Sequence, residues 1–198
     1  MIIALKFCLY TIDRMQKTYL TAEQLLNDSF ALARMIIESG YRPTFLLGIW
    51  RGGAPIAIAI HEALAALGIP CDHDVVRISS YTGIDNRTTQ IKIHNIDYLK
   101  TQLSSTDRLL IVDDVHDTGL SMQALIKKIR NETKIQSIKI ATTYFKPQKN
   151  KASFHPDFYV SETNDWLVFP HELIGLSQTE IENQKPGIRQ IKDLISRP

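Results

Sequence analysis

At 198 residues the chain is long enough for one well-buried domain and hardly for two. Its 44% hydrophobic and 22% charged content is ordinary for a soluble globular protein, and a net charge of +2 without a basic stripe argues against a nucleic-acid binder. Two cysteines, Cys8 and Cys71, make neither a disulfide framework nor a metal spacing and read as reduced thiols in the cytoplasm.

The opening MIIALKFCLY is apolar but lacks a basic leader and a small-residue cleavage pattern, and it is too short to span a bilayer. KTYLTAEQ reads as a natural domain opening, so Met1 and Met15 are both candidate starts of translation. Thr21 and Gln24 then suit a capping box, and Leu26, Phe30, Ala33 and Ile37 recur at helical spacing as far as Gly40 and Pro43. TFLLGIW (44–50) has the length of a buried strand. RGGAP forms a turn, with Pro55 at the first helical position of the apolar helix IAIAIHEALAAL, which Gly68 ends.

The alternation continues. DVVRISS is predicted as a strand, YTGIDNRTTQ as a polar loop and RLLIVDD as a buried strand. The next helix puts Met122, Leu125, Ile126 and Ile129 on one face, and SIKIATTYF is a further strand. Strands of continuous apolar character alternating with helices argue for a parallel sheet covered on both sides. After Lys146 the texture changes to Pro-punctuated aromatic pieces, HPDFYV and DWLVFP. The sheet core is therefore expected over about 15–146, and a small hood and tail of the same single domain over about 147–198. KPQKNK reads as a solvated loop apart from Lys146.

Asp113, Asp114 and Asp117 crowd the end of one predicted strand, and Thr118-Gly119-Leu120-Ser121 opens the helix after it. Ligands of a parallel sheet bind beyond the carboxyl ends of its strands, and a helix N-terminus offers free N–H groups to a phosphate. Carboxylates beside a phosphate need another occupant, either the hydroxyls of a sugar or Mg²⁺ shared with substrate phosphates. Together these features suggest a phosphorylated sugar. Other motifs fail: DTG here precedes an amphipathic helix rather than sitting in an all-β protease, the acids do not have EF-hand spacing, and there is no P-loop. Gly48, Gly52 and Gly53 miss the dinucleotide fingerprint, and HELIG and HEALA carry Gly175 and Ala65 where a zinc helix needs histidine.

LLIVDDVHDTGLSM resembles the phosphoribosyl-pyrophosphate (PRPP) motif of type I phosphoribosyltransferases. In the same order along the chain, GIWRGGAPIA resembles their pyrophosphate loop, ISSYTGIDNRT their closing loop, and YFKP with DWLVFP the purine-binding hood of the 6-oxopurine branch. The resemblance implies the α/β parallel-sheet fold of that family with a small C-terminal hood. It implies transfer of the phosphoribosyl group of PRPP to hypoxanthine, guanine or xanthine, with Mg²⁺ as cofactor, in a cytoplasmic homodimer or homotetramer.

By that resemblance Asp113 and Asp114 bind the ribose hydroxyls, Asp114 lies nearest the Mg²⁺, and Asp117 faces N7 of the purine as the catalytic base. Thr118, Gly119, Leu120 and Ser121 cradle the 5-phosphate, although Leu120 and Ser121 depart from the commoner Gly or Lys and Thr. Arg51, Gly52 and Gly53 match the pyrophosphate loop, where a cis peptide would fall between Trp50 and Arg51. Ser80, Tyr81 and Arg87 match the closing loop. Trp166 stacks on the purine, the peptide of Leu167 meets its C2 side and Lys146 donates to O6. The rivals are an enzyme for another base, such as adenine or orotate, and a regulatory protein that keeps the PRPP pocket. LSQTEIENQKPGIRQIKDLISRP has no assigned function and is read as a helical tail packing on the hood or on a neighbouring subunit.

Overall fold

A computed structural model describes residues 17–82 and 89–191, with the backbone alone described at 80–82, 89 and 90. Both candidate starts, Met1 and Met15, lie outside these residues. Six strands form the main sheet: β2 (Phe45–Trp50), β3 (Asp72–Thr82), β4 (Thr89–His94), β5 (Arg108–His116), β6 (Ser137–Phe145) and β7 (Phe158–Glu162), in the order β4-β3-β2-β5-β6-β7. All neighbours are parallel except β3 and β4, which pair antiparallel. The α/β parallel-sheet expectation is met, with one antiparallel edge.

Along the strands, side chains alternate between two buried layers. Leu46, Leu110 and Val112 face α1 (Ala22–Glu38) and α2 (Gly53–Ala66), whose Leu32, Ile36, Ile56, Ile60 and Leu64 complete that layer. Leu47, Leu109 and Ile111 face the other side, against Leu99 of α3 (Ile96–Gln102) and Leu125 and Ile129 of α4 (Leu120–Glu132). Each fully buried leucine or isoleucine contributes about 1.5–3 kcal/mol, so burial on both faces fixes the sheet firmly.

The helix α1 buries a different stripe from the one expected. Leu25, Ser29, Leu32, Ala33 and Ile36 are buried, whereas Leu26 and Phe30 are exposed. Ser29 interrupts the true stripe in the sequence, but its hydroxyl donates to the Leu25 carbonyl at 2.6 Å and can therefore be buried without an unpaired polar group. Half of the expected capping box forms: the Gln24 N–H donates to the Thr21 hydroxyl, while the Gln24 side-chain amide donates to Tyr144 instead.

Three expectations about the sheet are corrected. The polar segment YTGIDNRTTQ is not loop throughout, because its two ends extend β3 and β4, with Thr82 opposite Thr89. The strand carrying the acids runs on to His116, so Asp113 and Asp114 stand within β5 rather than at its last position. FYVSE, read as part of the hood, is β7 of the main sheet, with Phe158 opposite Ala141.

The hood is a two-stranded parallel sheet made from both ends of the chain, β1 (Lys17–Tyr19) beside β8 (Trp166–Val168). The tail packs on it through α5 (Gln178–Gln184). The Lys17 ammonium lies 2.6 Å from Glu180, the Tyr19 hydroxyl donates to the same carboxylate, and the Lys185 ammonium donates to the Phe169 carbonyl at 2.5 Å. Among the described residues no helix is long and apolar enough to cross a membrane.

Candidate functional site

In the sheet order, the chain leaves β2 toward β3 on one side and leaves β5 toward β6 on the other. Loops that diverge from adjacent parallel strands open a crevice at their carboxyl ends. The Arg51–Gly53 turn follows β2 and the segment Asp113–Ser121 follows from β5, so both expected phosphate-handling motifs flank this crevice.

The two motifs touch. A Cβ added to Gly52 would fall 1.7 Å from Asp114 Oδ2, and one added to Gly53 would fall 2.3 Å from the Val112 carbonyl oxygen. Only glycine allows the turn to lie this close to the acids. The peptide between Trp50 and Arg51 is cis, at the position expected. Arg51 is exposed at the mouth. Burial lowers the pKa of His171; the charge of Glu172 works against this, and those of Arg51 and Lys185 add to it.

Burial raises the carboxyl pKa of Asp113 well above the ordinary range, and the neighbouring Asp114 charge raises it further. Asp114 is pushed up to about 6, chiefly by burial and also by the charge of Glu172, against the lowering effect of the Val115 N–H bonded to it at 2.8 Å. Raised carboxyls side by side are groups that gain from a cation or from donor hydroxyls. Among the described residues no group of three or more His, Cys, Asp or Glu could hold a metal by itself. A Mg²⁺ at Asp114 would therefore take its remaining ligands from water and substrate oxygens, which suits its chemistry.

Glu172 was missed by sequence reasoning, which tested HELIG only as a zinc helix. Its carboxylate accepts from the Phe169 N–H at 3.0 Å, and its own N–H donates back to the Phe169 carbonyl at 3.0 Å. This turn brings an acid of the hood close enough for its charge to act on Asp114. No local spacing could have announced it, because the interaction joins the hood to β5.

Asp117 lies just past β5, and its Oδ2 is 3.3 Å from the Lys146 ammonium and 3.9 Å from that of Lys149. Lys146 is buried, at 5% exposure, and so stands apart from the solvated loop that follows it. Thr118 and Gly119 then turn into α4, with Gly119 in the left-handed region at φ +72°. Leu120 and Ser121 begin the helix with exposed side chains; the Leu120 N–H donates to the Thr118 hydroxyl at 3.5 Å, and the Ser121 hydroxyl joins the first backbone N–H groups as a polar feature of the cradle.

Trp166 is 50% exposed on β8, available as a stacking surface, while Leu167 beside it is buried. These two residues stand on the hood sheet, apart from the Asp117–Lys146 pair, and the Thr163 N–H to Phe145 carbonyl bond at 3.0 Å ties the approach to β8 to the end of β6. Ser80 and Tyr81 stand on the backbone of β3 near its carboxyl end, and their side chains, like the whole of Arg87, lie outside the described residues.

The phosphoribosyl transferase domain family matches residues 15–173. Among curated relatives, the hypoxanthine-guanine phosphoribosyltransferase of Bacillus subtilis is 29% identical over 161 residues, covering 80% of this chain and 84% of that protein. The enzyme of the same name from Cricetulus griseus is 26% identical over 176 residues, covering 84% of this chain and 79% of its own. A solved purine phosphoribosyltransferase from Pyrococcus horikoshii Ot3 superposes with a TM-score of 0.65 at 30% identity, over 81% of this chain and 97% of that one.

Proposed function

The chain belongs to the phosphoribosyl transferase family, and on that premise we propose that it salvages 6-oxopurines, joining hypoxanthine, guanine or xanthine to the ribosyl group of PRPP and releasing pyrophosphate. The observation that carries the choice of base is the buried Lys146 ammonium 3.3 Å from Asp117. A fixed ammonium donor suits the O6 oxygen of a 6-oxopurine and meets no acceptor in the amino group of adenine.

The roles follow the motifs. Asp113 and Asp114 accept from the ribose hydroxyls. The backbone N–H groups of Thr118 to Ser121 hold the 5-phosphate, and Arg51 with the close-packed Gly52 and Gly53 holds the pyrophosphate. Trp166 stacks on the base, and the peptide of Leu167 meets its C2 edge. The bond from purine N9 to C1 of the ribose forms as the C1–oxygen bond to pyrophosphate breaks, and Asp117 takes the proton at N7. By their motif, Ser80, Tyr81 and Arg87 are assigned the role of keeping water from C1.

Asp114, whose carboxyl is raised chiefly by burial and also by the charge of Glu172, would hold Mg²⁺. When bound, the ion supplies charge to the leaving pyrophosphate.

The test is a base panel: PRPP and Mg²⁺ with hypoxanthine, guanine, xanthine, adenine, orotate or uracil, followed by pyrophosphate release. Turnover with at least one 6-oxopurine and none with adenine or orotate is the expected result. Turnover confined to adenine, orotate or uracil refutes the assignment of Lys146, and PRPP binding without turnover of any base refutes the enzyme.

A further inference from the structure

The cradle segment Asp117–Gly119 rests on the stretch Lys146–Phe154, and the contacts between them are specific. The Lys146 N–H donates to the His116 carbonyl at 2.9 Å, and the Lys151 N–H donates to the Thr118 carbonyl at 2.9 Å. In a trans peptide the carbonyl and the N–H point in opposite directions. Fixing the His116 and Thr118 carbonyls toward this stretch therefore turns the N–H groups of Asp117 and Gly119 away from it, toward the crevice.

What holds the stretch in place is a side-chain pair, a buried histidine and a half-buried asparagine. His116 is 3% exposed, with its ring edge-on to Phe145 and Phe154 at centroid distances of 5.6 and 5.8 Å. Its Nε2 lies 3.3 Å from Asn150 Oδ1. That oxygen also accepts the Ala152 N–H at 3.0 Å, and Asn150 Nδ2 donates to the Phe154 carbonyl at 2.8 Å. The Asn150 amide orientation is thereby fixed, so His116 Nε2 is the donor in the pair. Gly119 is pressed onto the same three groups: a Cβ there would fall 2.6 Å from His116 Nε2, 2.7 Å from Ala152 Cβ and 2.9 Å from Asn150 Oδ1.

We infer that His116 and Asn150 are positioning residues for the 5-phosphate cradle, their hydrogen bond locking the stretch that aims the cradle's N–H groups. The inference rests on the proposed function in taking residues 118–121 as the phosphate site. Neither His116 nor Asn150 is placed to touch substrate, so both act through the backbone of their neighbours.

The test compares a nucleoside 5-monophosphate with its nucleoside, which isolates the phosphate. Binding of guanosine 5-monophosphate, guanosine, inosine 5-monophosphate and inosine is measured by calorimetry for the wild type, H116F, H116Q and N150L. H116F keeps an aromatic ring between Phe145 and Phe154 and removes the donor, so the fold is retained, and thermal melts of each variant check this. H116F is expected to weaken monophosphate binding by about tenfold, the scale of one lost hydrogen bond, and N150L, which also strips the Ala152 N–H and the Phe154 carbonyl of their partner, by at least as much, with nucleoside binding unchanged. The double variant H116F/N150L should lose no more than the worse single one, because both break the same bond. H116Q, which restores a donor amide, should recover most of the loss. Equal weakening of nucleotide and nucleoside, or unchanged monophosphate binding in H116F, overturns the positioning role. A wild type that binds nucleoside and monophosphate alike instead overturns the phosphate assignment beneath it.

Discussion

The Lys146 ammonium lies 3.3 Å from Asp117 Oδ2, so the proposed reader of the base and the proposed proton acceptor stand side by side. On the proposed roles, a purine would meet both at once, O6 on one and N7 on the other. Two roles that look separate in the sequence, 29 positions apart, are one pre-formed unit in space.

That pairing makes the first prediction quantitative. Asp117→Asn should leave PRPP binding largely intact and slow turnover by about a hundredfold or more, the usual scale for losing a general base. Lys146→Met should raise KM for the 6-oxopurine. Because the two groups act as a unit, the double variant should lose less in kcat/KM than the product of the two single losses. Steady-state kinetics with PRPP affinity from calorimetry decide this, and normal turnover in D117N removes Asp117 from the chemistry.

Gly52→Ala should be far more damaging than its single methyl suggests. The added Cβ would sit 1.7 Å from the Asp114 carboxylate, so either the turn or the acid must move. A displacement of this order at reacting groups costs about a hundredfold in rate. The expected outcome is a large loss in kcat/KM for PRPP with the circular dichroism spectrum retained, and wild-type kinetics would show that the turn and Asp114 need not touch.

Adjacent residues on β8 should behave in opposite ways. Trp166 is half exposed, so Trp166→Ala should weaken nucleotide binding by about 1–3 kcal/mol through lost stacking, with little change in melting temperature. Leu167 is buried, so Leu167→Ala should cost about 2–5 kcal/mol of stability. Calorimetric titration and denaturant unfolding of both variants separate the two effects, and unchanged nucleotide affinity in W166A refutes the stacking role.

The junction of tail and hood should have a defined pH window. Glu180 is held below the usual carboxylate range, chiefly by the Lys17 hydrogen bond and then by those from Tyr19 and Ser177. A depressed carboxylate stabilises above its unfolded pKa of about 4.3, and the benefit is lost as the pH falls below that toward the folded value. Tyr19 is pushed up to about 12, chiefly by its bond to Glu180, so its share is present below about 10 and lost as the pH rises through 12. The melting-temperature difference between wild type and Glu180→Gln should therefore be flat from about pH 6 to 9 and shrink on either side. A difference that grows on acidification contradicts the assignment.

Much of the site was legible because its motifs are short and continuous. Asp113, Asp114 and Asp117 follow an apolar strand, glycines follow another, and in both cases strand, turn and helix are set by residues next to each other in the chain. Periodicity likewise found α4 and its buried Met122, Leu125 and Ile129. It chose the wrong stripe on α1, because Ser29 looks polar until its hydroxyl is seen bonded to the Leu25 carbonyl.

Partner choice was another matter. Which strand lies beside which depends on packing between residues far apart, and local pattern carries little of it. FYVSE has the alternation of a strand wherever it docks, and only the register of Phe158 against Ala141 assigns it to the main sheet rather than to the hood. The N-terminal KTY becomes half of the hood only because it pairs with WLV, 149 positions away. Glu172 enters the site through a turn that no spacing announces, and the His116–Asn150 support joins β5 to a stretch 34 residues further on. The elements and the chemistry at their ends depend on neighbouring residues, so both can be read along the chain. Which ends meet cannot, since a contact between distant residues is settled by the burial and hydrogen bonding of the whole folded chain.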